Sequence, residues 1–220
     1  MLLAPLAVVP LGAAVALVAW GGRGLGLSSL AVAAAAIGAL ALGSRALHLD
    51  GLSDTVDGLT ASRQAERSLA VMRSGTAGPA GVVALVVVLG MQAGAMAALI
   101  SQPRGPFLAL FLVCFSRGSL SLACVRGVPA ARGDGLGVDH AGSVAPFAAG
   151  LQWLVVAAVA GAAFAWAGLP WWHGVAGVCA AAAVVGLLVA HAVRRLGGVT
   201  GDVFGAAVEL SLAALLVSAS

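Results

Sequence analysis

The sequence predicts an all-α fold, a polytopic bundle of about seven transmembrane helices in a single membrane-embedded domain over residues 1–220. Composition is the first observation behind this. Apolar residues make up 61% of the chain and charged residues 9%, against about 25% charged in an ordinary soluble domain. Mean hydropathy is +1.09. So few polar groups cannot clothe a water-facing surface, which excludes a soluble globular enzyme, a disordered chain and a disulfide-stapled secreted domain. The second observation is a series of apolar runs, most of them near the roughly 20 residues that cross a bilayer. The third is the placement of Arg, which gives those runs a direction.

The first run, 2–20, has no positive flank before it and many runs after it, so it reads as a span and not as a cleaved signal. The second covers 25–43 and leads into a polar stretch, 44–79. The third and fourth cover 80–100 and 107–125, the latter interrupted by Ser116-Arg117-Gly118. The fifth and sixth, 145–168 and 174–192, flank Trp171 and Trp172, which read as interfacial anchors with His173 beside them. The last, 205–219, is short. Small residues are so frequent that small-xxx-small spacing selects no packing partner. Cys114, Cys124 and Cys179 lie in apolar runs and read as packing residues. No Cys/His spacing suits zinc, and His191 reads as a helix-end residue.

Every one of the eleven basic residues is Arg. With alternating spans, one face carries the N-terminus and loops 44–79, 126–144 and 193–204. It holds Arg45, Arg63, Arg67, Arg73, Arg126, Arg132, Arg194 and Arg195. The other face holds Arg23 and Arg104, and Arg117 lies inside the fourth run. The positive-inside rule then places the larger loops in the cytoplasm and the C-terminus outside. A net charge of +3 is too small and too dispersed to imply nucleic acid.

The informative stretch begins at Arg45 and carries His48, Asp50, Asp54 and Asp57 directly after the second run. The acids are spaced i, i+4, i+7, which on a helix sets three carboxylates on one face. Like charges at that spacing repel, so the stripe calls for a cation. A hard divalent ion such as Mg²⁺ takes oxygen ligands and pairs carboxylates with substrate phosphates. Arg63 and Arg67, at i, i+4, and Arg73 offer planar forks suited to phosphate. The Gly-rich turn around Gly78 could turn backbone N–H groups toward an anion. Two further stretches share this face. One is the loop carrying Arg132 and Asp134. The other runs through Thr200 and Asp202 to Glu209, a carboxylate deep in an apolar run. Carboxylates, Arg and Gly-rich turns at a membrane face fit phosphoryl transfer on a bulky or lipid-facing substrate.

At these residues the chain resembles the cobalamin synthase family (adenosylcobinamide-GDP ribazoletransferase). The stretch His48-Leu-Asp50-Gly-Leu-Ser-Asp54-Thr-Val-Asp57-Gly58 is similar to the family's first motif. Val71-Met72-Arg73 with Gly75, Gly78 and Gly81 is similar to its second, and Gly197 through Glu209 to its last. Ser116-Arg117 and the loop 129–137 also fit in order and spacing. The resemblance implies an integral protein of the bacterial cytoplasmic membrane that needs Mg²⁺ and works from the cytoplasmic side. It implies a reaction joining adenosylcobinamide-GDP to α-ribazole or its 5′-phosphate, with release of GMP. Two departures stand out. Ser74 occupies a position where the family commonly has an acid, and the family's leading Pro-containing amphipathic segment is not in this sequence.

The expected site follows. Asp50, Asp54 and Asp57 hold the metal, and one of them or His48 takes a proton. Arg45, Arg63, Arg67, Arg73, Gly78, Arg117, Arg132, Thr200, Asp202 and Glu209 bind substrate. The oligomeric state stays open. Two other readings weigh against this one. Asp54 to Gly58 with Arg63 is faintly similar to the CDP-alcohol phosphotransferases, whose further acids are absent here. An ion-coupled transporter would carry acids at mid-depth on several helices, where this chain has Glu209 alone.

Overall fold

The computed structural model describes residues 1–220, and all its regular elements are helices. The first predicted run divides into α1 (Ala4–Ala7) and α2 (Val9–Gly24), each begun with Pro in its first turn, where no N–H is required. The second run forms α3 (Ser29–Gly43), capped by Ser28, whose hydroxyl accepts the Ala31 N–H at 3.3 Å. Then Arg45 and Ala46 adopt left-handed φ values of 54° and 56°. The chain turns, and α4 (Leu47–Ala61) leaves at 89° to α3. α4 is therefore not a straight continuation of the span; it packs on α12, α6 and α5.

α5 (Ala65–Met72) is a short amphipathic helix. α6 (Pro79–Ser101), the pair α7 (Gly105–Ser116) and α8 (Ser119–Ala123), α10 (Pro146–Ala167) and α11 (Trp171–Leu196) follow the predicted apolar runs. The break between α7 and α8 falls at Arg117-Gly118, within the predicted interruption. Between α8 and α10 lies α9 (Leu136–His140), a single turn. The last helix, α12 (Gly201–Ser218), starts four residues before the predicted run and is capped by Thr200. Five segments are long and apolar enough to cross a membrane: α6, α7 with α8, α10, α11 and α12. The bent α3–α4 pair makes a sixth if counted as one span. Against the expected seven, the first run yields α2 with only 16 residues, because a break at Val8 interrupts it.

α12 occupies the centre and packs on α4, α6, α7, α8 and α11. Val203 to Glu209 are buried without interruption. The main apolar core joins α2, α3, α6, α7, α10 and α12 through Ile37, Met96, Leu112, Phe164 and Leu212. A second core lies toward the loop end, around Met72, Cys124, Val199 and Phe204. The outer faces expose Leu30, Val86, Leu154 and Leu187, each at least 61% accessible, as a surface solvated by lipid tails requires.

The Arg-rich loops meet at one end of the bundle, as their shared face predicts. The 129–131 strand-like segment pairs with Val199, the Ala131 N–H donating to Val199 O at 2.9 Å and the Val199 N–H to Pro129 O at 2.9 Å. Arg132 donates to Leu69 O at 3.1 Å, and Arg195 donates to Ser62 O. At the other end Arg23 donates to Gln102 O. Arg104 donates to Trp166 O and stands 5.1 Å from that indole ring.

Candidate active site

The site forms where α4 crosses α12. Two glycines set the closeness of that crossing. A Cβ on Gly51 would lie 2.7 Å from the Asp202 carbonyl oxygen, and one on Gly205 would lie 3.0 Å from both Cα and O of His48. No side chain fits there, so the two backbones touch. This contact brings the first acidic motif against the last one, far away in the chain.

Asp50 and Asp54 of α4 thereby join Asp202 of α12. Asp50 is exposed, Asp54 is buried at 8% accessibility, and Asp202 lies between these extremes. Asp54 is pushed up to about 6, first by burial and then by the charges of Asp50, Asp202 and Asp57, with Arg132 opposing them. Arg132 is the cation of the group, its Nη2 3.8 Å from Asp202 Oδ2. Thr200 donates its hydroxyl to Asp202 Oδ2 at 3.1 Å while accepting the Val203 N–H at 3.4 Å. The group around Asp54 thus gathers more negative charge than Arg132 alone cancels.

Asp57 stands apart from the expected metal group. Its Oδ2 accepts the Gly78 N–H at 2.7 Å and its Oδ1 accepts the Gly81 N–H at 2.8 Å. A carboxylate satisfying the free N–H groups of a helix start also meets the positive end of that helix's dipole. The anion expected at the Gly78 turn is therefore the protein's own Asp57. Side chains at Gly78 and Gly81 would overlap that carboxylate.

No group of three His, Cys, Asp or Glu side chains is gathered closely enough to cage a metal ion by itself. That suits an ion held by one or two carboxylates with the remaining ligands from substrate phosphate, the usual manner of Mg²⁺. The crowding that raises Asp54 is what such a cation relieves, so Asp54 with one neighbouring carboxylate, Asp50 or Asp202, suits it, whereas Asp57 is already engaged by the start of α6.

The arginines divide. Arg73 forms a two-pronged pair with Asp134, at 2.6 and 2.7 Å, tying the end of α5 to the 129–137 loop. Arg73, Arg132, Asp134, Thr200 and Asp202 line one cavity of about 350 Å³. A larger one, about 620 Å³, lies on the other side of α5, against Asp57, Thr60, Arg67, Ser74 and Thr76. Arg63 and Arg67 do not share a helix face as expected. Ser62 is extended and α5 begins only at Ala65, which leaves Arg63 in the connection. Arg45 is exposed at the left-handed bend.

His48, Arg117 and Glu209 lie behind the carboxylates. His48 Nδ1 is 3.9 Å from Glu209 Oε1, beyond hydrogen-bond length. Glu209 accepts from Gln92, whose Nε2 is 2.8 Å from Oε2. Gln92 is absent from the expected site. The available signal was a lone amide in the middle of the 23-residue apolar helix α6.

Fold and site together define a multi-pass helical membrane protein with an acidic, arginine-flanked cleft at one end. The chain belongs to the cobalamin-5-phosphate synthase family, whose sequence model matches residues 1–220. A relative from Nocardioides sp. named adenosylcobinamide-GDP ribazoletransferase is 55% identical over 218 residues, 99% of this chain and 85% of its own length. Relatives of the same name from Frankia casuarinae and Pseudomonas paraeruginosa are each 40% identical. The aligned parts cover 79% and 80% of this chain and 65% and 68% of theirs. No solved structure matches.

Proposed function

We propose that the chain joins adenosylcobinamide-GDP to α-ribazole, or to its 5′-phosphate, releasing GMP and giving adenosylcobalamin or its 5′-phosphate. One observation carries this reading beyond family membership: the α4–α12 crossing brings the charges of Asp50 and Asp54 to bear on Asp202, which with Arg132 and Arg73 lines a cavity of about 350 Å³. A substrate whose reacting centre is a pyrophosphate needs such a mixture, carboxylates to hold a divalent ion and guanidinium groups to hold phosphate oxygens.

Asp54 with Asp50 or Asp202 would hold Mg²⁺, with substrate phosphate and water completing its shell. When bound, that ion neutralises pyrophosphate oxygens and so stabilises the charge that grows as GMP departs. Arg132, beside Asp202, and Arg73, in the same cavity lining, orient the phosphates. The ribazole hydroxyl forms a new O–P bond to the phosphorus on the cobinamide side, and the bridging P–O bond to the GMP phosphate breaks. A carboxylate of the cluster takes the hydroxyl proton. His48 suits that task less well because its Nδ1 faces Glu209. The Arg-rich end faces the cytoplasm by the positive-inside rule.

The test is direct. Purified protein in detergent or liposomes, given adenosylcobinamide-GDP, α-ribazole and Mg²⁺, is expected to form cobalamin and GMP in equal amounts and to stop in EDTA. Formation of phospholipid from CDP-diacylglycerol and an alcohol, with no cobalamin, would overturn the reading.

A further inference from the structure

A second polar group lies inside the bundle, and the transfer as written makes no use of it. Gln92 on α6, Arg117 after α7 and Glu209 on α12 are 1%, 3% and 4% accessible. With His48 they join four separate elements. Gln92 Nε2 donates both to Glu209 Oε2 at 2.8 Å and to the Glu209 carbonyl at 3.2 Å. Arg117 Nη1 donates to Val113 O at 3.1 Å and Ser116 Oγ at 2.8 Å, and its Nε and Nη2 have no protein partner. Its charge is close enough to act on both Glu209 and His48. Ionisable groups inside an apolar bundle are costly and are functional by default.

None of these three residues lines the cavity beside Asp202. Gln92 and Glu209 border instead a void of about 10 Å³ walled by Ile37, Leu40 and Leu89. Glu209 approaches the start of α4, its Oε1 3.9 Å from His48 Nδ1, and Leu49 of that turn shares the void with Gln92 and Glu209. That helix has no side-chain cap and enters through two left-handed residues, so its own sequence does little to fix its first turn. Gly205 lies against His48 in that turn, between Asp202 and Glu209 on α12.

We propose that Gln92, Arg117 and Glu209 are positioning residues: they act through His48 to seat the first turn of α4 on α12, and so set the spacing between Asp50 and Asp54 on one helix and Asp202 on the other. This rests on the proposed transfer for its kinetic arm only.

The experiment compares Gln92→Leu, Arg117→Met, Glu209→Gln and the double variant Arg117→Met/Glu209→Gln with the full-length parent. Gln92→Leu is expected to lower kcat about tenfold, with KM for both substrates held within about twofold. Amide hydrogen exchange over residues 47–55 is expected to quicken about tenfold without added metal or substrate, while exchange in α10 stays unchanged. Arg117→Met should be worse than the double variant, because the single change strands a buried carboxylate. A rise in KM at constant kcat would mean substrate contact and would overturn the proposal. So would unchanged exchange at 47–55, or faster exchange in every helix together. If the parent protein transfers no ribazole, the function reading fails while the exchange arm still decides this one.

Discussion

Three aspartates on one short helix have three different surroundings, and substitution should separate them. Asp57 holds the start of α6 through two charge-assisted hydrogen bonds. Asp57→Ala should therefore cost stability, about 3 kcal/mol, seen as a lowered midpoint in thermal unfolding. Asp54→Asn should leave folding intact and lower turnover about 100-fold or more. The pH dependence of Asp54 gives a further check. Its pKa rises from 3.8 to about 6 on folding, so the folded state binds the extra proton and loses stability as pH climbs through that window. In EDTA, Asp54→Asn should raise the melting temperature above pH 7 and leave it almost unchanged near pH 4. Saturating Mg²⁺ should remove the advantage by stabilising the parent. A melting-temperature gain that persists at low pH would show that charge crowding is not its cause.

At the scale of elements, the site depends on how closely α4 approaches α12. Gly51→Ala puts a methyl group 2.7 Å from the Asp202 carbonyl, a clash that only separation of the helices relieves. The expected outcome is about 1–3 kcal/mol of lost stability together with a larger loss of turnover than that stability change explains. Gly94→Ala on α6 is the matched control. Nothing lies within 4 Å of its Cβ position, so it should be neutral or slightly stabilising. Paired melting curves and turnover assays decide. The same helices show what spacing in a sequence can and cannot say. The i, i+4, i+7 acids marked α4 correctly as a helix, and scarce charge in an apolar chain marked it as important. Spacing could not reveal that Asp57 belongs to the start of α6, because that partner is tertiary. Nor did it show the break at Ser62, which moves Arg63 off the α5 face. Gln92 gives little signal in the sequence, because an uncharged amide hardly disturbs a hydropathy window, although burial makes its hydrogen bond to Glu209 consequential.

Across the whole molecule, the asymmetry of Arg predicted one crowded end, and the loops do meet there through Arg73, Arg132 and Arg195. The location of the candidate site is legible for the same reason: in a chain with 9% charged residues, few charges are spent on solvation. The positive-inside rule makes a topological prediction. In a Cys179→Ala background, a membrane-impermeant maleimide applied to intact cells should label Gln102→Cys and spare Arg194→Cys until the cells are opened. Both parent residues are exposed, at opposite ends of the bundle, and the reverse pattern would invert the proposed orientation.

The central place of α12 also bears on biosynthesis. It follows eleven other helices in the chain, yet α4, α6, α7, α8 and α11 all close around it. A ribosome delivers those surrounding helices first, when Gln92 lacks its acceptor, Arg117 lacks a nearby carboxylate, and Asp50 and Asp54 lack Asp202. The nascent protein must keep a slot open in the bilayer for its own middle. Until that late insertion, the polar groups later sealed inside the bundle are what membrane chaperones and proteases meet. The interval before α12 arrives is therefore when the chain is most exposed to quality control.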